Sequence, residues 1–246
     1  MTPAREKYVY GVVAPGTSLP RAKGVGGGGL KLIEGGSVAA VVSDVTPPVR
    51  AGKQELQTHS RVLQRVLERG PVLPMRFGMV MAAEDVSREL LEPFEEDLSE
   101  QLGELAGAIE LHLRATYEEQ ALMSEVVAAD PQIAALRDRL KGQPPDATYY
   151  AQIDLGQRVA QGVEGAAARD RDEILRALEP LSIAVSVGDP QHERVACDAA
   201  FLVEQAAMGE FDRAVDELGR RGEGRLRFSY SGPHPPYSFV ELPAQV

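Results

Sequence analysis

The chain has 246 residues, 43% of them hydrophobic and 26% charged, which suffices for one large or two ordinary domains with apolar cores and excludes global disorder. A formal charge of -11 and a pI near 4.9 oppose a nucleic-acid or anionic-membrane partner, since both require a basic surface, and favour a protein partner. The one cysteine, Cys197, allows no internal disulfide, and no cysteine and histidine cluster has zinc spacing, so neither metal nor cofactor is expected.

Residues 9–13 form too short an apolar patch for a signal-peptide core. No apolar run approaches the roughly 18 residues needed to cross a bilayer, so a cytoplasmic protein in a reducing compartment is expected. Valine and tyrosine enrichment between glycines and prolines predicts strands at residues 7–13 and 37–45, with a shorter one at 30–34 and a tight turn at Gly35-Gly36. Gly24 to Gly29 formally match a dinucleotide fingerprint, but a strand follows where a phosphate site needs a helix N-terminus, so the stretch reads as a flexible loop. Residues 53–69 predict an amphipathic helix with Leu56, His59, Leu63, Val66 and Leu67 on its stripe, closed by Gly70-Pro71. His59 reads as a boundary histidine, because no second ligand lies at helical spacing.

Residues 72–80 read as a buried strand, with Leu73, Met75, Phe77 and Met79 on one face and Arg76 on the other. A guanidinium in such a strand needs acceptors, so Arg76 is expected to pair with a carboxylate or carbonyls at the junction of two domains. Residues 84–105 predict a helix broken near Pro93, and between residues 84 and 130 fourteen acidic residues face only Arg88 and Arg114. Residues 106–114 alternate, with Ile109, Leu111 and Leu113 on one face and Glu110, His112 and Arg114 on a wet one. Residues 117–178 predict an antiparallel helical hairpin. Its first arm has an apolar seam and the second arm's seam of Tyr149, Ile153, Gly156, Ala160, Val163, Ala167, Ile174 and Leu178 is poor in bulk, so that either an apolar edge stays uncovered as a groove for the partner or the hairpin closes on its own sheet as scaffold.

Strands at 181–188 and 194–204, a helix at 209–222 and a closing strand at 225–231 complete the chain, with Cys197 a structural thiol in the second of these strands. From residue 106 onward the order is βαββαβ with an extended first crossover. The expected architecture is therefore α+β in two domains, 1–105 an N-terminal α+β domain and 106–246 a ferredoxin-like domain with an inserted helical hairpin.

Several stretches can now be joined. They are Tyr8-Val9-Tyr10-Gly11, His59, Val72-Leu73-Pro74-Met75-Arg76-Phe77-Gly78, Tyr149-Tyr150-Ala151-Gln152-Ile153-Asp154-Leu155-Gly156, Ala199-Ala200-Phe201-Leu202-Val203 and Gly232-Pro233-His234-Pro235-Pro236-Tyr237-Ser238-Phe239-Val240. Together they resemble the gas vesicle protein F/L family (GvpF/GvpL), in one order from near residue 8 to near 242. The family's ending commonly has tryptophan where this chain has His234. The resemblance implies an accessory or minor structural protein of gas vesicles, the gas-filled protein shells that give some prokaryotes buoyancy. It implies assembly work by contact with the small apolar major shell protein and with other gas vesicle accessory proteins, without catalysis, and a place at the gas vesicle. His59, Arg76, Tyr237 and Phe239 are the partner-binding or structural candidates. The competing class is an α+β enzyme or small-molecule sensor with a site at the domain junction, built on His59, Arg76, Glu110 and His112.

Overall fold

A computed structural model describes residues 6–190 and 192–242. Its contacts define two units: the described residues up to Glu110 with Glu204–Ala206 and those from Gly232 onward form one, and Leu111–Val203 with Ala207–Ser231 form the other.

In the first unit, strands β1 (Glu6–Val13), β2 (Leu30–Gly35) and β3 (Val38–Val45) form an antiparallel sheet with β1 paired to β3 and β3 to β2. Both faces of β1 and β3 are apolar because both are covered. Tyr8, Tyr10, Ala39 and Val41 pack with Val62, Leu63 and Val66 of helix α1 (Lys53–Leu67). The opposite face meets a run of helical segments: a short α2 (Ala83–Asp85), a π-helical stretch at Val86–Leu91, a 3-10 turn at Glu92–Phe94, and α3 (Glu95–Glu104). Leu91 sits where a Cβ on Gly35 would come within 2.6 Å, so glycine permits the helix to close on β2.

The expected strand at 72–80 is instead two short ones, β4 (Leu73–Pro74) and β5 (Val80–Met81), both antiparallel to β1. Pro74 has no N–H to extend the ladder, and Gly78 turns at φ 98°. Between them the chain leaves the sheet and carries Arg76 into solvent.

The second unit is built on β6 (Ala108–Tyr117), whose course begins in the first unit, with β7 (Ala184–Val187), β8 (Val195–Glu204) and β9 (Leu226–His234), in the order β7-β8-β6-β9. Helices α4 (Glu119–Ala129), α5 (Pro131–Leu140) and α6 (Pro145–Leu178) fill the first crossover, and α7 (Met208–Arg221) the second. This is the βαββαβ order in an α+β fold. Asp130 caps α5, accepting from Gln132 N at 2.9 Å, which accounts for the break before Pro131.

Packing fixes the lower half of the hairpin to its own sheet. Arg225 pairs with Asp170 of α6 at 2.7 and 2.8 Å and with Glu125 of α4 at 2.7 and 3.2 Å, while the Tyr117 hydroxyl donates to Asp170. Burial first, then the Asp170 carboxylate, push the Tyr117 phenol up, and the two carboxylates hold Arg225 charged. Gly162 lets α6 approach α4, since a Cβ there would meet Val126 at 2.6 Å.

Candidate functional site

The residues that join the distant stretches of the first unit meet at His59. Alternation along β1 puts Tyr8 and Tyr10 on the face toward α1, and the helical stripe of α1 puts His59 against them. The Tyr8 hydroxyl lies 2.9 Å from His59 Nδ1, and Tyr237 Oη lies 3.1 Å from Nε2. Gly78 N–H donates to the Tyr8 hydroxyl at 3.1 Å, so that phenol bridges the His59 ring and the turn at Gly78. Tyr10 stacks on the imidazole at 5.7 Å, and Phe77 meets both Tyr8 and His59 edge-on.

Burial sets the ionisation of this group. It lowers His59 below the usual histidine range, a hydrogen bond to the Met75 backbone opposing it, so the ring is neutral. Tyr8 is pushed up to about 12 by burial, and Tyr10 and Tyr237 are raised by the same cause. Tyr237 is 42% exposed as a residue, but its hydroxyl is the part turned inward to His59.

The segment carrying Tyr237 is fastened along its length. Ser238 donates through its backbone N–H at 2.8 Å and its hydroxyl at 3.1 Å to buried Glu110. Gln101 of α3 exchanges two hydrogen bonds with the Glu241 backbone, both 2.9 Å. Phe239, half-buried between these points, lines a groove with Phe94 and Leu98.

Two expectations about site residues are corrected. Arg76 is exposed and has no ion pair among the described residues, because its segment bulges from the sheet. Glu110 is not on a wet face: it is buried and engaged by Ser238, while His112 Nε2 lies 3.1 Å from Asp198, which also pairs with Arg114. The glycine run is packed rather than free, for Val25 N–H donates to the Tyr10 hydroxyl at 2.6 Å and a Cβ on Gly24 would meet that hydroxyl at 2.4 Å. Sequence reasoning missed the polar roles of Tyr8, Gln101 and Ser238; only the pairing of Tyr-x-Tyr with Tyr-Ser-Phe hinted at them. Among the described residues no group of three or more His, Cys, Asp or Glu could hold a metal ion.

In the second unit three exposed apolar residues cluster on α6, Tyr149 at 61%, Tyr150 at 84% and Ile153 at 41%, and two more, Ile183 and Val187, lie just before and at the end of β7. Helical spacing continues Tyr149 and Ile153 into Gly156 and Ala160, which line a groove of about 480 Å³ with apolar Leu122, Met123, Val159 and Val163 and polar Glu119, His192, Glu193 and Arg194.

Residues 6–241 match the family model described as "Gas vesicle synthesis protein GvpL/GvpF". The chain belongs to the GvpL/GvpF family. Gas vesicle protein F of Streptomyces sp. (strain CB03234) is 32% identical over 238 residues, covering 95% of this chain and 99% of that relative. The crystal structure of the gas vesicle protein GvpF from Anabaena sp. PCC7120 superposes with a TM-score of 0.86 at 23% identity, covering 98% of this chain and all of that one. That of GvpF from Microcystis aeruginosa gives 0.81, also at 23% identity, over 96% and 99%. The GvpL/GvpF membership implies a role in gas vesicle formation, and these relatives bear the names of gas vesicle proteins rather than of enzymes. Among the described residues no helix is long and apolar enough to cross a membrane.

Proposed function

We propose that this chain acts in gas vesicle assembly as a non-catalytic binding protein that holds the small apolar shell protein on the open face of α6. The observation that carries this reading is the cluster of Tyr149, Tyr150 and Ile153 in solvent, continuous with the groove at Gly156 and Ala160. Large aromatic side chains exposed together on an otherwise acidic surface are costly unless a partner covers them. The chain's net charge of -11 would keep a bound apolar protein dispersed. On this reading the chain works in the cytoplasm and at the gas vesicle, with other gas vesicle proteins as further partners. The absence of catalysis is supported by the relatives' names and by the separate structural engagements of His59, Glu110 and His112.

Co-purification of the shell protein with wild type and with a Tyr149→Glu, Tyr150→Glu, Ile153→Glu variant tests it. Retention should fall about tenfold or more while the circular dichroism spectrum and Tm hold. Undiminished retention by the folded variant contradicts the reading.

A further inference from the structure

A second surface, in the first unit, has a different chemistry. The groove of about 580 Å³ between α3 and the C-terminal segment has an apolar floor of Phe94, Leu98, Phe239 and Leu242. Its rim is Asp97, Glu100, Glu104 and Glu241. Asp97, Glu100 and Glu104 follow one another at i, i+3 and i+7 on one side of α3, where like charges repel. Several carboxylates elsewhere are ion-paired: Asp44 with Lys7 and Lys31, Asp198 with Arg114, and Glu125 and Asp170 with Arg225. The four rim carboxylates have no ion pair with any described residue. The Gln101 bonds to Glu241 hold the two walls together, so the groove is a formed feature of the fold.

We infer that this groove docks a basic amphipathic segment of another protein, its apolar side chains on the Phe94, Leu98 and Phe239 floor and its lysines or arginines on the carboxylate rim. Charge complementarity selects this occupant. A second copy of the chain would bring a charge of -11 against the same rim, and residues 243–246 carry no cation. A polyanion is excluded by the same rim. The inference goes beyond shell-protein binding, which was assigned to α6.

The test uses the full chain and synthetic amphipathic peptides of about 14 residues with leucines at i, i+3, i+4 and i+7. One carries flanking lysines, a second has glutamate for each lysine, and a third has serine for each leucine. The lysine-leucine peptide alone should bind by fluorescence anisotropy and shift the amide resonances of α3 and residues 239–242, several-fold less tightly as salt is raised. Glu100→Lys with Glu104→Lys, both on exposed positions, should weaken it by about tenfold or more. The α6 triple variant should bind it as wild type does.

Equal binding of the lysine-serine peptide, or indifference to the Glu100 and Glu104 changes, overturns the inference. So does peptide binding that emerges only on deleting residues 243–246, which would give the groove to the chain's own end. Shell-protein retention measured on the same variants separates the two proposals: loss with the α6 changes alone supports both, and peptide binding with no shell-protein retention by wild type removes the first and leaves the second.

Discussion

His59 is held between two phenols in a buried setting, where the charged imidazolium is disfavoured. Burial depresses its folded pKa below an unfolded value of about 6.5, so this contribution to stability is complete above that pH and is lost as pH falls below it. Tyr8 has the opposite sign: its contribution is complete below about 10 and is lost as pH rises through about 12. Melts from pH 8 to pH 5 should therefore show Tm falling on the acid side, with a shallower fall in His59→Gln. That substitution should also cost about 1–3 kcal/mol at neutral pH by disturbing two buried hydroxyls. An unchanged acid slope would show that His59 does not carry it. Helical spacing alone brought His59 to the buried boundary, but Tyr237 lies 178 residues away, and no local pattern links the two. Arg76 shows the reverse failure. Its alternation argued for burial, and the departure of residues 76–78 from the ladder, between the Met75 and Met79 bonds to β1, depends on the partner strand, which period-2 reasoning does not see.

At the scale of elements, apolar periodicity located most strands and helices, because each element buries one stripe or face and chain order does not alter that. The hairpin's break at Asp130-Pro131 has an equally local cause, a side-chain cap followed by proline at the first helical position. What holds the hairpin was not, since Tyr117, Glu125, Asp170 and Arg225 come from four separate places in the chain. Removing the guanidinium leaves the Asp170 carboxylate buried and Glu125 unpaired by it. Arg225→Met should cost roughly 2–4 kcal/mol, less than a fully enclosed pair because the Arg225 side chain is one-third exposed. Urea titration measures this, and a change under half a kcal/mol would mean the cluster is only a surface network. The closing segment is a second such case. Truncation after Ser231 removes the partners of His59, Glu110 and Gln101 together, so hydrogen exchange should accelerate in α1 and α3, and protection unchanged there would show that the segment is merely appended.

For the whole molecule, the α+β class and the βαββαβ order follow from the sequence of predicted elements, since few topologies accommodate that order. The return of residues 232–242 to the first unit is not encoded in element order. It rests on hydrogen bonds of Tyr237, Ser238 and Glu241 to residues more than a hundred positions earlier. Family membership joins these into a chain that serves gas vesicle formation, and the central claim is that it does so by binding through α6 rather than by chemistry. The most direct measurement is gas vesicle formation, read as pressure-collapsible light scattering, in cells whose own copy is replaced by the Tyr149→Glu, Tyr150→Glu, Ile153→Glu variant or by His59→Gln with Glu110→Gln. The α6 variant should abolish the signal at normal protein abundance, while the folded His59 and Glu110 variant should retain it. Normal gas vesicles with the α6 variant, or their loss with the other at equal abundance and stability, would contradict that claim.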